Sequence, residues 1–284
     1  MNEAPPIVLV HVLARNKEAT LGLYLETMYE WDYPKDRIVL YVRTNNNSDR
    51  TGEMLADYIA KYGDEYFSII YEGRNIDRPI NHQKVHEWDE ERLTTMRMLR
   101  NKGFAVAYEW VCDFYFTADV DNFVLPHTLT TLVELNLPVV SPLLRYAEDP
   151  TEGEALTELK TAEGSANWTY SNFDTVVTHN GDTHHGADYK EFDQRYFDIL
   201  ERRNTGVHQV DLVHATYLIH RDVFTTIGYT NGVSGFEYII FAYNLRIAGI
   251  PQFLDNREIY GCITLAENET ASRRYLDALT SATG

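Results

Sequence analysis

An almost unbroken apolar run near the start of the chain limits its possible folds most strongly. The segment Ile7-Val-Leu-Val-His-Val-Leu13 shows no regular alternation of apolar and polar residues. A strand that is apolar on both faces is typical of the centre of a parallel sheet, where helices cover both sides. The chain is therefore predicted to be an α/β protein in which helices form the outer layers.

Strands and helices alternate through the first half of the chain. Extended apolar segments at 37–42 and 68–71 each follow a helical stripe, and a long helix is predicted from about 89 to 110. This order predicts a doubly wound sheet that binds ligands at the carboxyl ends of its strands. Neither a G-x-G-x-x-G turn nor a G-x-x-x-x-G-K-[ST] loop occurs, which argues against dinucleotide dehydrogenases and P-loop nucleotidases.

Two aspartates, Asp119 and Asp121, directly follow the apolar strand that begins near Phe114. In an extended segment residues i and i+2 point to the same side, so both carboxylates can face one point. Carboxylates that close repel each other unless a cation lies between them or one binds a proton. At the end of a sheet strand, this pattern indicates Mg²⁺ or Mn²⁺ shared with nucleotide phosphates. A solvated turn is the alternative interpretation.

Composition excludes several classes of function. The 284 residues are 44% hydrophobic, enough for a large core, and 43 acidic side chains face 25 basic ones. A chain without clustered cations is not expected to bind nucleic acid. No apolar run approaches the ~20 residues of a membrane span, and the first residues do not resemble a secretory signal. We therefore expect a cytoplasmic protein with no membrane span, for which a viral or bacterial origin is possible.

An arginine lies inside the apolar stripe of the long predicted helix. Arg100 falls between Met96, Phe104, Ala107 and Val111 at helical spacing. A guanidinium on an apolar face is costly unless its donors find an anion. Two kinds of partner remain open at this point, namely an internal carboxylate such as that of Asp113 or Asp119, and a phosphate of a bound ligand.

Several segments, in order along the chain, resemble one group of enzymes. Ala14-Arg-Asn16, the polar turn at 44–51, Leu99-Arg-Asn-Lys-Gly103 and Asp119-Val-Asp121 resemble the nucleotide-binding half of GT-A glycosyltransferases. Further segments are similar to the collagen β-galactosyltransferase group, glycosyltransferase family 25, and more distantly to the glycosyltransferase domain of multifunctional lysyl hydroxylase. These segments are Tyr115-Phe-Thr-Ala-Asp-Val-Asp-Asn122, Pro138-Val-Val-Ser-Pro142, Tyr170-Ser-Asn-Phe173, Val213-His-Ala-Thr-Tyr-Leu218, Phe236-Glu-Tyr-Ile-Ile-Phe-Ala242 and Glu258-Ile-Tyr-Gly261.

The resemblance implies a fold and a reaction. The fold would be a single GT-A (Rossmann-like) domain, with a mixed, mostly parallel sheet flanked by helices. Residues 1–144 would bind the nucleotide sugar, and residues 145–284, with long loops, would bind the acceptor. The reaction would be metal-dependent transfer of a hexose from a nucleotide-sugar donor, UDP-glucose or UDP-galactose, to a hydroxyl of a protein or glycan. Hydroxylysine of a collagen-like protein is the acceptor that the family suggests.

The resemblance also assigns residues to the site. Mn²⁺ or Mg²⁺ would be held by Asp119, Asp121 and Glu267, the last standing where the family usually has a histidine. The residues expected at the donor are Ala14, Arg15, Asn16, Asn45, Asn47, Asp49, Arg100, Asp119, Val120 and Asp121. Those expected at the acceptor are Trp168, Tyr170, Asn172, His214 and Phe236.

The candidate catalytic residue is Glu237. The family carries Phe-Asp-Asp before the late helix, whereas this chain has Phe236-Glu237-Tyr238 and keeps one acid of the two. An inverting transferase needs a base near the acceptor hydroxyl, and Glu237 is the candidate. The alternative is an exposed acid that only stabilises the start of a helix through the helix dipole.

Two other functions remain open from the sequence. The sequence does not determine the oligomeric state. A sugar nucleotidyltransferase would share the sheet, but that class has a glycine-rich loop where this chain has Ala14-Arg-Asn16. A non-catalytic relative that binds sugar or protein would explain the missing histidine and the altered acid pair.

Overall fold

An eight-stranded mixed sheet forms the centre of the molecule. The computed structural model describes residues 4–77, 89–146, 172–174, 176–179, 182–185, 194–264 and 268–283. The strand order is β11-β14-β6-β13-β4-β1-β2-β3. These strands are β1 (Val8–Ala14), β2 (Ile38–Thr44), β3 (Ser68–Glu72), β4 (Phe114–Ala118), β6 (Val139–Pro142), β11 (Val207–Val210), β13 (Thr216–His220) and β14 (Gln252–Asp255).

The strands β4, β1, β2 and β3 are parallel neighbours, as predicted for the first half. The strand β13 runs antiparallel between β4 and β6, and β11 is antiparallel to β14. Because β13 runs in the opposite direction, its first residue, Thr216, pairs with Ala118 at the carboxyl end of β4. The mixed, mostly parallel sheet confirms the predicted fold class.

Helices cover both faces of this sheet. Along β1, Val8, Val10 and Val12 join the core on one face and Leu9 joins the core on the other. One face is covered by α1 (Glu18–Tyr29), α2 (Thr51–Tyr62), α4 (Thr128–Leu135) and α8 (Glu269–Thr283). The other is covered by α3 (Glu90–Glu109), α5 (Gln194–Leu200), α6 (Arg221–Phe224) and α7 (Glu237–Ile247).

Helix α3 packs closely against β1 and β4 because residue 103 is glycine. A Cβ atom at Gly103 would lie 2.8 Å from His11 Cε1 and 2.9 Å from Tyr115 Cε2. Such distances are far shorter than ordinary carbon contacts, so a larger residue would push the helix off the sheet. Burial lowers the pKa of His11, and its ring stacks on Tyr41 with the centroids 4.6 Å apart. The glycine and the neutral histidine thus set the position of α3, which carries Arg100.

Short strands complete the structure. The strands β5 (Asn122–Val124), β15 (Gly261–Ile263) and β7 (Arg145–Tyr146) form a three-stranded sheet. The strands β8 (Phe173–Asp174) and β12 (Leu212–Val213) pair with each other, as do β9 (Val176–His179) and β10 (Asp182–His185). Since strands from before and after residue 144 share the main sheet, the two predicted halves belong to one folded unit.

Three local predictions were wrong. The largely apolar segment 211–219 predicts a single strand, but Ala215, whose φ of 62° is incompatible with an extended strand, divides it into β12 and β13. The helix α5 lies in a segment that was predicted to be loop. Val111, expected on the buried stripe of α3, is 61% exposed and has a φ of 55° just beyond the end of the helix.

None of the helices in the described segments is both long enough and apolar enough to cross a bilayer. The cytoplasmic location stays a prediction.

Candidate functional site

The two aspartates lie in a tight turn at the carboxyl edge of the main sheet. Strand β4 ends at Ala118, and the amide of Asn122 donates to the carbonyl of Asp119 over 2.8 Å. The predicted extended geometry of this pair is therefore wrong, because residues 119–122 form a turn. The amide of Asp119 donates to the carbonyl of Ala215 at 3.0 Å, which anchors the turn to the residue before β13.

Each carboxylate of the turn contacts a cation. Arg100 Nη2 lies 2.7 Å from Asp119 Oδ1, and Lys17 Nζ lies 3.2 Å from Asp121 Oδ2. The repulsion expected between the two acids is thus offset by two basic side chains. Burial raises the pKa of Asp121, the ammonium of Lys17 opposes that rise, and the charge of Asp119 adds to it.

Arg100 is one of the most deeply buried side chains in the structure, with 1% of its surface exposed. Besides Asp119 it donates to Thr117 Oγ1 over 2.5 Å, and its Nε has no hydrogen-bond partner among the described residues. Of the two partners left open by the sequence, the internal carboxylate is the one observed. Direct contact with a donor phosphate stays a prediction.

Helix α3 links the aspartate turn to the start of α7. One turn before Arg100, Arg97 Nη1 donates to the carbonyl of Gly235 over 2.6 Å, two residues ahead of Glu237. Residues three positions apart lie on the same side of a helix, so one face of α3 holds both segments. This arrangement fixes Glu237 relative to Asp119.

Glu237 is buried at the first residue of α7, with 8% of its surface exposed. The expected exposure of this helix start is therefore wrong, whereas the role of Glu237 stays a prediction. Burial raises the pKa of Glu237; the cation of Arg100 opposes this rise, and the charge of Asp119 adds to it. Its Oε2 has no hydrogen-bond partner in the described part of the chain. A buried carboxylate oxygen without a donor is costly, and such groups are found where a ligand supplies the partner.

The loops after β1 and β2 are joined by reciprocal hydrogen bonds. The amide of Asn16 donates to Asn47 Oδ1 at 3.1 Å, and Asn16 Oδ1 accepts from the amide of Ser48 at 2.8 Å. Asparagine is a common helix cap, but Asn16 has a φ of 53° and the N-cap of α1 is Lys17, so Asn16 does not cap this helix. Asp49 accepts from the amides of Glu18 and Thr51, both at 3.0 Å.

These bonds place most of the predicted donor residues at one edge of the sheet. Arg15 Nε lies 3.5 Å from the carbonyl of Asn46, and Asn45 Nδ2 donates to Asn46 Oδ1 at 2.9 Å. Ala14, the last residue of β1, is paired with Thr44, while the Val120 side chain is buried in the core. Contacts of Ala14, Arg15, Asn16, Asn45, Asn47, Asp49 and Val120 with a donor stay predictions.

Two of the predicted acceptor residues lie near Glu237. The ring of Tyr238 lies 4.9 Å from the ring of His214 and 5.6 Å from that of Phe236. His214 directly precedes Ala215, whose carbonyl holds the aspartate turn. These half-buried aromatic rings therefore lie at the start of α7 and beside the residue that precedes Ala215, and their contact with the acceptor stays a prediction.

Asn172 does not face a site. Its side chain is fully buried, and its amide donates to Ser141 Oγ at 2.7 Å and to the carbonyl of Pro142 at 2.6 Å. Its Oδ1 accepts from the amide of Leu144 at 2.9 Å. The expected contact with an acceptor is corrected to a structural role, because every polar atom of the amide is used within the protein.

Trp168, Tyr170 and Glu267 lie outside the described residues. The described chain does lead from β15 to the aspartate turn, since the amide of Thr264 donates to the carbonyl of Asp121 over 3.0 Å. Glu267 as a third metal ligand stays a prediction.

The candidate metal ligands of the aspartate turn are its two carboxylates. Within the described ranges, no group of three or more histidine, cysteine or acidic side chains could form a complete metal cage. Mg²⁺ and similar hard ions commonly use one or two carboxylates and take their other ligands from water and substrate phosphates. Asp119 and Asp121 supply such a partial ligand set.

Sequence reasoning did not identify Lys17, Thr117 or Ala215 as parts of this site. Lys17 follows Ala14-Arg-Asn16 directly, so its place at the end of β1 was the available signal. The contact of Ala215 depends on the antiparallel insertion of β13, which no local pattern indicates.

Two solved structures resemble this fold. GalNAc-T7, solved with UDP, GalNAc and Mn²⁺, superposes with a TM-score of 0.54 at 13% identity, covering 92% of this chain and 43% of that one. S. aureus TarS 1-349 in complex with UDP-GlcNAc gives a TM-score of 0.51 at 14% identity, covering 94% and 60%. Both neighbours are GT-A glycosyltransferases, so the class defined by the fold is GT-A.

A family model places the chain within that class. The model of the glycosyltransferase family 25 N-terminal domain matches residues 5–149. The chain belongs to glycosyltransferase family 25, which confirms the resemblance seen in its motifs.

The relatives found by sequence include a protein named as a galactosyltransferase and a protein named as inactive. Human procollagen galactosyltransferase 2 is 30% identical over 279 residues, which cover 92% of this chain and 39% of that protein. Inactive glycosyltransferase 25 family member 3 of Mus musculus is 29% identical over 265 residues, covering 90% and 40%. This chain thus spans less than half the length of these curated relatives.

Proposed function

We propose that this protein transfers a hexose from a UDP-sugar to a hydroxyl acceptor in a reaction that requires a divalent cation. The observation that carries the proposal is the aspartate turn, which α3 links to the buried Glu237. The family and fold favour a glycosyltransferase over a sugar nucleotidyltransferase.

The donor would bind with its diphosphate at the aspartate turn. Asp119 and Asp121 would hold Mn²⁺ or Mg²⁺, which when bound would neutralise the charge that develops on the leaving UDP. The nucleoside would lie against the joined loops that contain Asn16 and Asn47. Arg100 holds the Asp119 carboxylate from the protein interior, since its guanidinium is buried and lies 2.7 Å from Asp119.

Glu237 would act on the acceptor. As a carboxylate it would accept the proton of the attacking hydroxyl through the Oε2 atom, which has no partner among the described residues. The raised pKa makes this carboxylate a stronger base than one in water. A base on the acceptor side corresponds to inversion at the anomeric carbon.

The relatives support a proposal for the identity of the donor and of the acceptor. Both solved neighbours were determined with UDP or a UDP-sugar, which supports UDP as the nucleotide. The galactosyltransferase relative supports UDP-galactose, with UDP-glucose as the second donor and hydroxylysine of a collagen-like protein as the acceptor. The relative named as inactive favours a second candidate, a member that binds the donor without catalysis.

Asp121→Ala is expected to weaken the binding of UDP in the presence of Mn²⁺ by about 10- to 100-fold, the scale of losing a group that supports a metal. Without Mn²⁺, removing this acid should not weaken UDP binding. Isothermal titration with UDP, with Mn²⁺ and with EDTA, gives both affinities.

The control is Asp222→Asn, which changes an aspartate whose side chain is 89% exposed. It should bind UDP and Mn²⁺ like the parent protein. If Asp121→Ala keeps the affinity of the parent under both conditions, the assignment of the aspartate turn as the metal and diphosphate site is wrong.

A further inference from the structure

The ion pair between Lys17 and Asp121 is a built part of the aspartate turn. Lys17 is the N-cap of α1, where its amide donates to Thr51 Oγ1 at 2.7 Å and its carbonyl accepts from the amide of Leu21 at 2.8 Å. The backbone of this residue is therefore fixed at the end of β1. From that position its Nζ reaches Asp121 Oδ2, and 21% of the lysine side chain is exposed.

The two cations of the turn differ in how freely they can move. Arg100 is buried, and Thr117 and Asp119 hold its rigid guanidinium on one side. Lys17 is a flexible side chain with a single charged atom, next to solvent. The Arg100 cation stays in place, whereas the Lys17 ammonium can leave Asp121 by rotation of its side-chain bonds.

Among the residues that the structure describes, the four charged side chains of these two ion pairs also balance one another. Asp119 and Asp121 carry two negative charges, and Arg100 and Lys17 carry two positive charges. A divalent cation that approaches these four side chains alone meets no net attraction and must compete with an ammonium for Asp121. A diphosphate changes this balance, because it brings negative charge for both the metal and the released ammonium.

We propose that Lys17 makes binding of the divalent cation depend on the nucleotide. In the protein without donor, its ammonium neutralises Asp121 and keeps the affinity for free metal low. When the donor diphosphate binds, the ammonium of Lys17 would move from Asp121 to the phosphate, and the Asp121 carboxylate would then be available to hold the cation. This inference rests on the proposed function, since it needs metal and nucleotide to share the aspartate turn. Metal and nucleotide then bind cooperatively, and each raises the affinity for the other by the same factor.

The test measures binding of Mn²⁺ with and without UDP, by titration calorimetry and by the paramagnetic resonance signal of free Mn²⁺. In Lys17→Met the affinity for Mn²⁺ without UDP should rise by about tenfold, the scale of one partly buried charge contact. The gain in Mn²⁺ affinity that UDP produces should fall by a similar factor. Lys17→Gln should behave like Lys17→Met, and Lys17→Arg, which keeps the charge, should behave like the parent.

The matched control is Lys102→Met, which removes an equal charge from an exposed position on α3. It should leave both Mn²⁺ affinities unchanged. If the parent binds Mn²⁺ and UDP but Lys17→Met binds free Mn²⁺ no more tightly, the proposal is overturned while the proposed function stands. If neither the parent nor Lys17→Met binds Mn²⁺ at all, both fail.

Discussion

Replacing Glu237 by glutamine is expected to lower the rate of sugar transfer by about a hundredfold to ten-thousandfold, the range of general base catalysis. The amide has nearly the shape of the acid but cannot accept the acceptor proton. Binding of UDP should not change, because the residue lies on the acceptor side of the aspartate turn. Release of UDP from the donor, with water or a hydroxylated peptide as acceptor, measures the rate.

Glu53→Gln provides the matched control. Glu53 also lies in the first turn of a helix, but its side chain is 73% exposed. Its substitution should leave the rate unchanged. A Glu237→Gln protein that turns over donor at the rate of the parent would exclude Glu237 as the base.

The dependence of the rate on pH should report the ionisation of Glu237. A base must be deprotonated, so kcat/KM should rise with pH as Glu237 loses its proton, in a range above its ordinary pKa of 4.5 because burial raises that pKa. Removal of the Arg100 cation would raise the pKa further and move this rise to higher pH. In Glu237→Gln this acid limb should disappear.

Replacing Arg100 by methionine is expected to reduce the free energy of unfolding by about 3 kcal/mol, the lower part of the range for breaking a buried ion pair. The lower value applies because the Asp119 side chain is 43% exposed and regains water. Thr117 and Glu237 lose a cationic neighbour in the interior, which water cannot replace. Urea unfolding followed by tryptophan fluorescence measures the change.

Arg100→Lys is the comparison that separates charge from shape. It keeps the positive charge but loses the planar fork that contacts Thr117 and Asp119 together. We expect an intermediate loss of stability. If Arg100→Met unfolds at the same urea concentration as the parent, with an unchanged slope, the ion pair with Asp119 does not stabilise the fold.

The sequence was most informative about the main sheet. The apolar run at 7–13 and the strand before Asp119 are β1 and β4, side by side at the centre, because their side chains are apolar on both faces. Periodicity also located α3, observed at Glu90–Glu109 against a prediction of about 89 to 110. These elements depend on local pattern alone.

What the sequence could not show depends on contacts distant along the chain. The antiparallel placement of β13 between β4 and β6 brings Ala215 and His214 to the aspartate turn. The hydrogen bonds of Asn172 to the segment 141–144 likewise form only in the folded chain. From the sequence alone, Asn172 was therefore predicted to contact the acceptor. The burial of Glu237 also depends on contacts that are distant along the chain.

Of the two ion pairs at the aspartate turn, the sequence indicated only the one that contains Arg100. Arg100 was recognisable because a lone guanidinium lay on an apolar stripe and needed an anion. Lys17 gave no such signal, since a lysine at the start of a helix after a strand is ordinary. Its contact with Asp121 arises because β1 and β4 are neighbours and end at the same edge of the sheet.

The most direct test of sugar transfer by this protein is release of UDP from UDP-galactose and UDP-glucose, with GDP-mannose as a comparison donor. We expect the protein to release UDP from at least one UDP-hexose in the presence of Mn²⁺. EDTA and Asp121→Ala should each abolish that release. A folded protein that binds UDP and Mn²⁺ but releases no nucleotide from any of these donors, with or without a hydroxylysine peptide, would contradict the claim that this family 25 member is an active transferase.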